Sequence, residues 1–104
     1  NLGFMYDNGQ GVIEDDKEAV KWYRLAAEQG HAKAQSRLGF MHATGQGVIQ
    51  DNVYAHMWWN LAAASGEEKA RGNKDIVVKE MTPLDISKAQ ELARECVKKN
   101  YKDC

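Results

Sequence analysis

Two identical glycine-containing segments are the parts of the chain whose residue types could hold a phosphate group. They are Gly9-Gln10-Gly11 and Gly45-Gln46-Gly47, and glycine lets backbone N–H groups approach an anion closely. Neither segment follows a strand pattern, contains a third glycine or ends in the Gly-Lys-Ser/Thr sequence of a nucleotide-binding loop. We therefore interpret both as turns that end a helix, where glycine takes a positive φ without a Cβ clash.

Three histidines are the candidate metal ligands: His31, His42 and His56. No two of them stand four residues apart on one helix, and no Cys, Asp or Glu is spaced to complete a site. We therefore expect no metal and no cofactor. His31 instead suits the start of a helix, and His42 suits a core position or a hydrogen bond between helices.

Hydroxyl and thiol groups are the candidate nucleophiles. Ser36, Ser65 and Ser87 lack the Gly-x-Ser-x-Gly elbow of a hydrolase, and Cys96 falls on the inward face of a predicted helix, where a thiol is usually inert. Cys96 and Cys104 are eight residues apart, a spacing typical of neither a zinc site nor a redox pair, so we interpret them as two unpaired thiols. We predict no catalytic residue and no enzyme activity.

Three tryptophans could also form an aromatic cage around a ligand. Trp22 and Trp58 occupy equivalent positions of an internal repeat, and aromatic residues fixed by a repeat are packing residues first. We expect both in the core, whereas the role of Trp59 stays open.

The charge balance argues against two classes of partner. With 14 basic and 15 acidic residues, a net charge of -1 and a pI near 6.3, the chain has no positive field for nucleic acid or anionic lipid. No stretch approaches the roughly 18 to 20 apolar residues that span a bilayer, so membrane insertion is not expected. The residues do not identify a cellular compartment.

The elements that position these residues follow from the internal repeat. A shift of 36 positions aligns residues 2–30 with residues 38–66, and 16 of the 29 aligned residues are identical. A period between about 20 and 50 residues is typical of a solenoid, whose units bury their apolar faces on each other. We predict an all-α superhelical solenoid: a truncated repeat over 1–30, a complete repeat over 31–66, and a degenerate third unit with a C-terminal capping helix over 67–104.

Each repeat has the pattern of a helix pair around a glycine turn. In the second copy we predict helices over 32–43 and 52–65, with Asp51 as the N-cap of the latter. In the first copy the second helix is predicted over 16–29, with Asp15 as its N-cap.

The C-terminal part starts a further helix with Thr82-Pro83-Leu84-Asp85, which supplies an N-cap, a proline at N1 and an acid at N3. We predict that this helix reaches about Lys99 and that the tail 100–104 is frayed. Five residues are expected to face inward: Ile86, Ala89, Ala93, Cys96 and Val97.

The repeated residues resemble the Sel1-like repeat family, a branch of the tetratricopeptide-like α/α repeats. Its pattern runs Ala-x-x-x-Leu-Gly-x-x-Tyr-x-x-Gly-x-Gly-Val-x-x-Asp and on through Ala-x-x-Trp-Tyr-x-x-Ala-Ala to Gly, and residues 2–66 follow it. His42 and Trp59 replace two of the family's tyrosines, and the opening Ala of the first copy is missing. The resemblance implies an adaptor that holds protein partners in a concave groove lined by the first helix of each pair.

The resemblance also implies which side chains face that groove. Aligned on Leu38-Gly39, the family's first helix points seven residues toward it: Phe4, Asp7, Asn8, Ser36, Phe40, Ala43 and Thr44. Phe4 and Phe40 would be the anchors, because interface energy concentrates in buried aromatic residues. Packing between the repeats is the alternative role for both rings.

The sequence leaves two other functions open. The chain could be a structural piece that forms a homodimer or an end-to-end stack through residues 1–30, because a truncated first repeat leaves the apolar stripe of Trp22, Tyr23 and Ala26 partly uncovered. It could also be a hydrolase, since some cysteine-rich relatives have been called β-lactamases, although the chain lacks a Ser-x-x-Lys motif. A protein or peptide partner is the leading expectation.

Overall fold

The structure, a computed structural model, describes residues 16–104, which form five α-helices and one short 3-10 turn. The helices are α1 (Asp16–Ala27), α2 (Ala32–Thr44), α3 (Asn52–Ala64), α4 (Glu68–Val77) and α5 (Pro83–Lys98), and the 3-10 turn spans Val78–Glu80. The most extensive packing joins α2 to α3; α1 packs on α2, and both α4 and α5 pack on α3. The predicted all-α architecture is confirmed.

The C-terminal end of α1 comes two residues earlier than the sequence pattern predicts. The N–H groups of Gln29 and Gly30 donate to the carbonyl oxygens of Ala26 and Ala27, three residues back, at 3.1 and 3.0 Å. Hydrogen bonds of this kind tighten the last turn of a helix, so the α-helical geometry ends at Ala27 rather than Gln29.

Side-chain caps fix the starts of α3 and α5 as predicted. The Asp51 carboxylate accepts hydrogen bonds from the N–H groups of Val53 at 2.9 Å and Tyr54 at 3.3 Å. The Thr82 hydroxyl accepts from the Asp85 N–H at 3.1 Å, and the Asp85 carboxylate accepts from the Thr82 N–H at 3.4 Å, which completes a capping box. The Asp15 cap lies outside the described residues.

The Gly45–Gly47 turn joins α2 to α3 through left-handed backbone. Gly45 has φ 77° and Gly47 has φ 74°, and the Gly45 N–H donates to the Met41 carbonyl at 2.8 Å to end α2. Gly47 also lies against α1, where an added Cβ would overlap the carbonyl group of Asp16. This predicted turn is confirmed, while its copy at Gly9-Gln10-Gly11 lies outside the described residues.

Two hydrophobic clusters hold the helices together. The larger draws on α1, α2, α3 and α5 and is centred on the fully buried Leu38 and Trp58. The smaller joins α3 to α4 through Trp59, Ala70 and Val77, so Trp59 is also a core residue. Trp22, expected in the core, is only half-buried.

The two cysteines contradict the sequence interpretation. Cys96 and Cys104 form a disulfide, with Cα atoms 5.6 Å apart, instead of remaining unpaired thiols. The chain reverses after α5 through left-handed backbone at Asn100 and Tyr101, with φ of 56° and 66°, and this reversal returns Cys104 to Cys96. The spacing rule for metal and redox motifs does not anticipate such a turn.

The expected frayed tail is also wrong. Tyr101 packs on the larger cluster and lies beside Gly30, so the disulfide and an aromatic ring both hold the tail on the fold.

Val97, expected to face inward, is 54% exposed because α5 turns Ala89, Ala93 and Cys96 toward the core instead.

No helix between residues 16 and 104 combines the length and the apolar character that crossing a bilayer requires. The division of the chain into units over 1–30, 31–66 and 67–104 stays a prediction.

Candidate partner-binding groove

Two adjoining hollows form a groove between α2 and α4. One hollow, of about 580 Å³, is lined by Lys33, Ser36, Arg37, Phe40, Glu67, Lys69 and Asn73. A second, of about 230 Å³, is lined by Phe40, Ala43, Thr44, Asn52, Trp59, Asn73, Ile76, Val77 and Glu80. Phe40 and Asn73 line both, so the hollows are adjacent there. Residues early in both helices line the first hollow and residues late in both line the second, which indicates that α2 and α4 run parallel.

The second hollow is the apolar half of the groove. The Phe40 ring on α2 is 39% exposed, and the Ile76 side chain on α4 is 64% exposed. Ala43, Val77 and Trp59 complete its apolar lining. Two large apolar side chains on neighbouring helices therefore offer one surface that a partner's side chains can cover.

The first hollow is the charged half of the groove. Lys33 and Lys69 are exposed, and Glu67 is the one acid among its lining residues in the described chain. The Arg37 guanidinium lies 5.1 Å from the centre of the Phe40 ring, a cation–π distance that joins the charged half to the apolar half. Burial lowers the pKa of Arg37 from its ordinary value, but a guanidinium remains charged at neutral pH.

Trp59 on α3 lines the second hollow and also packs against α2. Its Nε1 donates a hydrogen bond to the Ser36 carbonyl oxygen at 3.0 Å, and its ring lies against Gly39. A Cβ at Gly39 would lie 2.6 Å from the Trp59 ring, so only glycine admits this contact. The indole thus fixes the backbone that carries Ser36 and Phe40.

Of the three histidines, one caps a helix and the other two are buried in the fold. His31 Nδ1 accepts from the Ala34 N–H at 3.4 Å, which confirms its place at a helix start. His42 is buried and stacks on Tyr54 with ring centres 5.6 Å apart, and neither of its nitrogens has a hydrogen-bond partner in the described part of the chain. Within residues 16–104, no group of three or more His, Cys, Asp or Glu side chains could hold a metal ion.

Burial lowers the pKa of both buried histidines. For His42 the nearby Arg24 lowers it further, and Asp51 raises it by less. For His56 burial is again the main cause, Lys74 lowers the pKa further, and Asp75 opposes them. Both imidazoles are therefore expected to be neutral inside the fold at pH 7.

The residues that sequence reasoning assigned to the groove fall into two groups. Ser36, Phe40, Ala43 and Thr44 all line it. The Thr44 hydroxyl donates to the Phe40 carbonyl at 2.9 Å, which ties it to its own helix. Phe4, Asp7 and Asn8 lie outside the described residues.

Sequence reasoning missed the α4 side of the groove. Lys74 and Asp75 stand where the repeat has its Leu-Gly pair. Without that pair, the sequence pattern did not indicate which face of α4 lines the groove. The 36-residue shift would nevertheless have found two of its residues, because it places Ile76 on Phe40 and Lys69 on Lys33.

Comparison with protein families decides the assignment. The Sel1 repeat model matches residues 1–31 and 32–67, which together make up more than half of the chain. The chain belongs to the Sel1 repeat family. Sel1 repeat proteins are generally protein-interaction scaffolds and are typically non-enzymatic. Among curated proteins, none matches this chain.

Solved structures of Sel1-type proteins are similar to this Sel1 repeat chain. A protective antigen present in uropathogenic Escherichia coli strains, which displays an SLR fold, superposes with a TM-score of 0.90 at 31% identity over 97% of this chain. A Sel1 repeat protein from Oxalobacter formigenes superposes with a TM-score of 0.73 at 38% identity over 76% of this chain. The match spans 23% of the first structure's length and 32% of the second's.

Proposed function

We propose that this Sel1 repeat chain binds a segment of a partner protein along the groove between α2 and α4. The observation that carries the proposal is the pair formed by Phe40 and Ile76, which occupy equivalent positions of successive units and line one hollow while both remain exposed. Isolated exposed apolar side chains are ordinary on a protein surface, but two that line one concavity are typical of a binding site.

The rigidity of the groove supports the same function. Phe40 stands on a stretch of α2 that the hydrogen bond from Trp59 to the Ser36 carbonyl holds in place, and Arg37 lies over its ring. A side chain that is already positioned loses little conformational freedom when a partner covers it, so more of the contact energy appears as affinity.

We propose that the groove continues into the first repeat through Phe4, Asp7 and Asn8. The 36-residue shift places them on Phe40, Ala43 and Thr44. At the opposite end, we propose that α5 closes the array as a capping helix, because its outer face carries exposed charged residues: Lys88, Glu91, Arg94, Glu95 and Lys98.

Site-specific photocrosslinking tests the groove directly. A photoreactive amino acid replaces Ile76 in one variant and Val97 in another; both positions are exposed, at 64% and 54%, but only Ile76 lines the groove. In a lysate of the source cells we expect a discrete crosslinked partner from position 76 and none from position 97. Crosslinking at both positions, or at position 97 alone, would contradict the proposal.

Phe40→Ala supplies the second arm of that experiment. We expect it to abolish the crosslink from position 76 while lowering stability by clearly less than truncation of a core residue does, because Phe40 is 39% exposed. Leu38→Ala, at a fully buried neighbour, is the matched control and should lower stability by about 2 to 5 kcal/mol. A comparable loss of stability in Phe40→Ala would show that the ring is a packing residue between units.

Self-association through residues 1–30 is the alternative we propose to test. Leu25 on α1 is 45% exposed, which leaves an apolar side chain for a second copy to cover. Tyr23, by contrast, is 4% exposed in the single chain, so it offers no such surface. Sedimentation over a concentration series tests this alternative, and a monomer of 11.7 kDa up to high micromolar concentration would contradict it.

A further inference from the structure

The groove between α2 and α4 has opposite electrical character at its two ends. The hollow at the N-terminal ends of the helices is lined by three basic side chains and one acid, although the whole chain has a net charge of -1. Among the residues that line the hollow at the C-terminal ends, one is charged, the acid Glu80. The local charge therefore changes from positive to negative along the groove.

The helix dipoles strengthen this difference. Because α2 and α4 run parallel, their N-termini lie together beside Lys33 and Lys69, and their C-termini lie together beside Thr44 and Glu80. Free N–H groups give the start of a helix a partial positive charge, and free carbonyl groups give its end a partial negative charge. Side chains and backbone thus favour an anion at the same end.

The apolar residues lie between these ends. Phe40 and Asn73 are shared by the two hollows, and Ile76 follows one turn further along α4. From Lys33 to Thr44 the helix rises by about 1.5 Å per residue, so the groove is about 16 Å long, the length of a helical segment of about 11 residues. A segment that fits must therefore change from charged to apolar within about this length.

We propose that the groove selects a partner segment with carboxylates at one end and large apolar side chains beside them. The carboxylates lie over Lys33 and Lys69, and the apolar side chains cover Phe40 and Ile76. Opposite charges at an interface fix the orientation of the partner and exclude segments of the wrong sign. This inference rests on the proposed groove function and adds the chemistry of the partner.

A display library of random 12-residue peptides, selected on the intact chain, tests the inference. We expect the enriched peptides to carry Asp or Glu on one side of a group of Leu, Ile, Phe or Trp residues. The affinity of the consensus peptide for the chain is then measured in 50 and 500 mM NaCl. It should fall as salt rises, because exposed ion pairs are screened.

Charge reversal separates this inference from the function on which it rests. We expect the double variant Lys33→Glu, Lys69→Glu to bind the consensus peptide with an affinity at least about tenfold lower, because attraction becomes repulsion at two exposed positions. The matched control, Lys88→Glu with Arg94→Glu, makes the same change in net charge on the exposed face of α5, outside the groove, and should change affinity by less than about twofold.

The selected peptides distinguish a failure of this inference from a failure of the groove function. Enriched peptides without an acidic preference, bound in a manner that depends on Phe40 but not on Lys33 and Lys69, would overturn this inference and leave the groove function standing. Peptides whose binding survives Phe40→Ala would overturn the groove function itself, and so would a library that yields no enriched peptide.

Discussion

The Trp59 indole lies against the backbone of Gly39, and a Cβ at that glycine would stand 2.6 Å from Nε1 of the ring. The same ring donates its hydrogen bond to the Ser36 carbonyl one turn earlier. A contact across α2 and α3 therefore supports the helix face that carries the groove residues.

Gly39→Ala should destabilise the chain even though alanine favours a helix. We expect the free energy of unfolding to fall by about 1 to 3 kcal/mol, because the methyl group displaces the Trp59 ring. Gly72→Ala is the matched control in α4, where an added Cβ meets nothing within 4 Å, and it should raise stability by up to about 1 kcal/mol. Chemical denaturation measures both, and two changes of the same sign would contradict the packing described here.

The turn glycines give a second matched pair. Gly47→Ala combines a φ of 74° with a clash on the Asp16 carbonyl, whereas Gly66→Ala at φ 98° meets no atom within 4 Å. We expect Gly66→Ala to cost about 1 kcal/mol from backbone strain alone. Gly47→Ala should cost more, by up to about 3 kcal/mol in total, because α1 must also move. Equal losses would show that α1 does not rest on this turn.

Reduction of the Cys96–Cys104 disulfide should loosen the C-terminal end. The bond closes a loop with a sequence separation of eight, and in the chain-entropy model such a loop contributes about 2 to 3 kcal/mol. We expect a reductant to lower the free energy of unfolding of the natural chain by this amount, and Cys104→Ser to remove the response. Two titratable thiols in the oxidised, denatured chain would contradict the bond.

Acid should weaken the fold as the buried histidines become protonated. Folding lowers the pKa of His42 and His56 below 6.5, so the unfolded chain binds more protons once the pH falls below that value. Their contribution to stability is complete above about pH 6.5 and is lost as the pH falls through the lowered values. Urea unfolding at pH 7.5 and 5.5 measures the difference.

Two variants separate the buried histidines from other titrating groups. His42→Tyr introduces the residue that stands at the equivalent position 6 of the first copy, and it should reduce the acid sensitivity. Gly72→Ala, which changes no titratable group and adds a Cβ that meets nothing within 4 Å, should leave the sensitivity unchanged. Equal sensitivity in all three proteins would show that His42 does not titrate differently in the fold.

Much of the fold was predictable because the sequence states its pattern twice. The repeat placed Trp58 in the core, Asp51 at a helix start and Gly47 in the turn, since each of these roles depends on local geometry and on one neighbouring helix. The α2 side of the groove followed from the same register. These features need no knowledge of distant contacts.

The features that the sequence did not predict depend on contacts formed where the repeat pattern fades. The reversal that returns Cys104 to Cys96 involves left-handed backbone at residues other than glycine, for which the local sequence carries no strong signal. Likewise, α4 lies beside α2 because it packs on α3 through Trp59 and Val77, and the loss of the Leu-Gly pair at Lys74 and Asp75 obscured this arrangement although the 36-residue shift aligns Ile76 with Phe40. Helix periodicity alone could not separate the inward Cys96 from the exposed Val97.

Chemical-shift mapping of the ¹⁵N-labelled chain with the selected consensus peptide tests the groove most directly. We expect the peptide-induced changes in amide chemical shift to be largest on α2 and α4, around Ser36, Phe40, Asn73 and Ile76. In the Phe40→Ala variant we expect no such changes. Shifts centred on the exposed face of α5 around Lys88 and Val97, with α2 and α4 unaffected, would contradict the assignment of the groove as the binding surface.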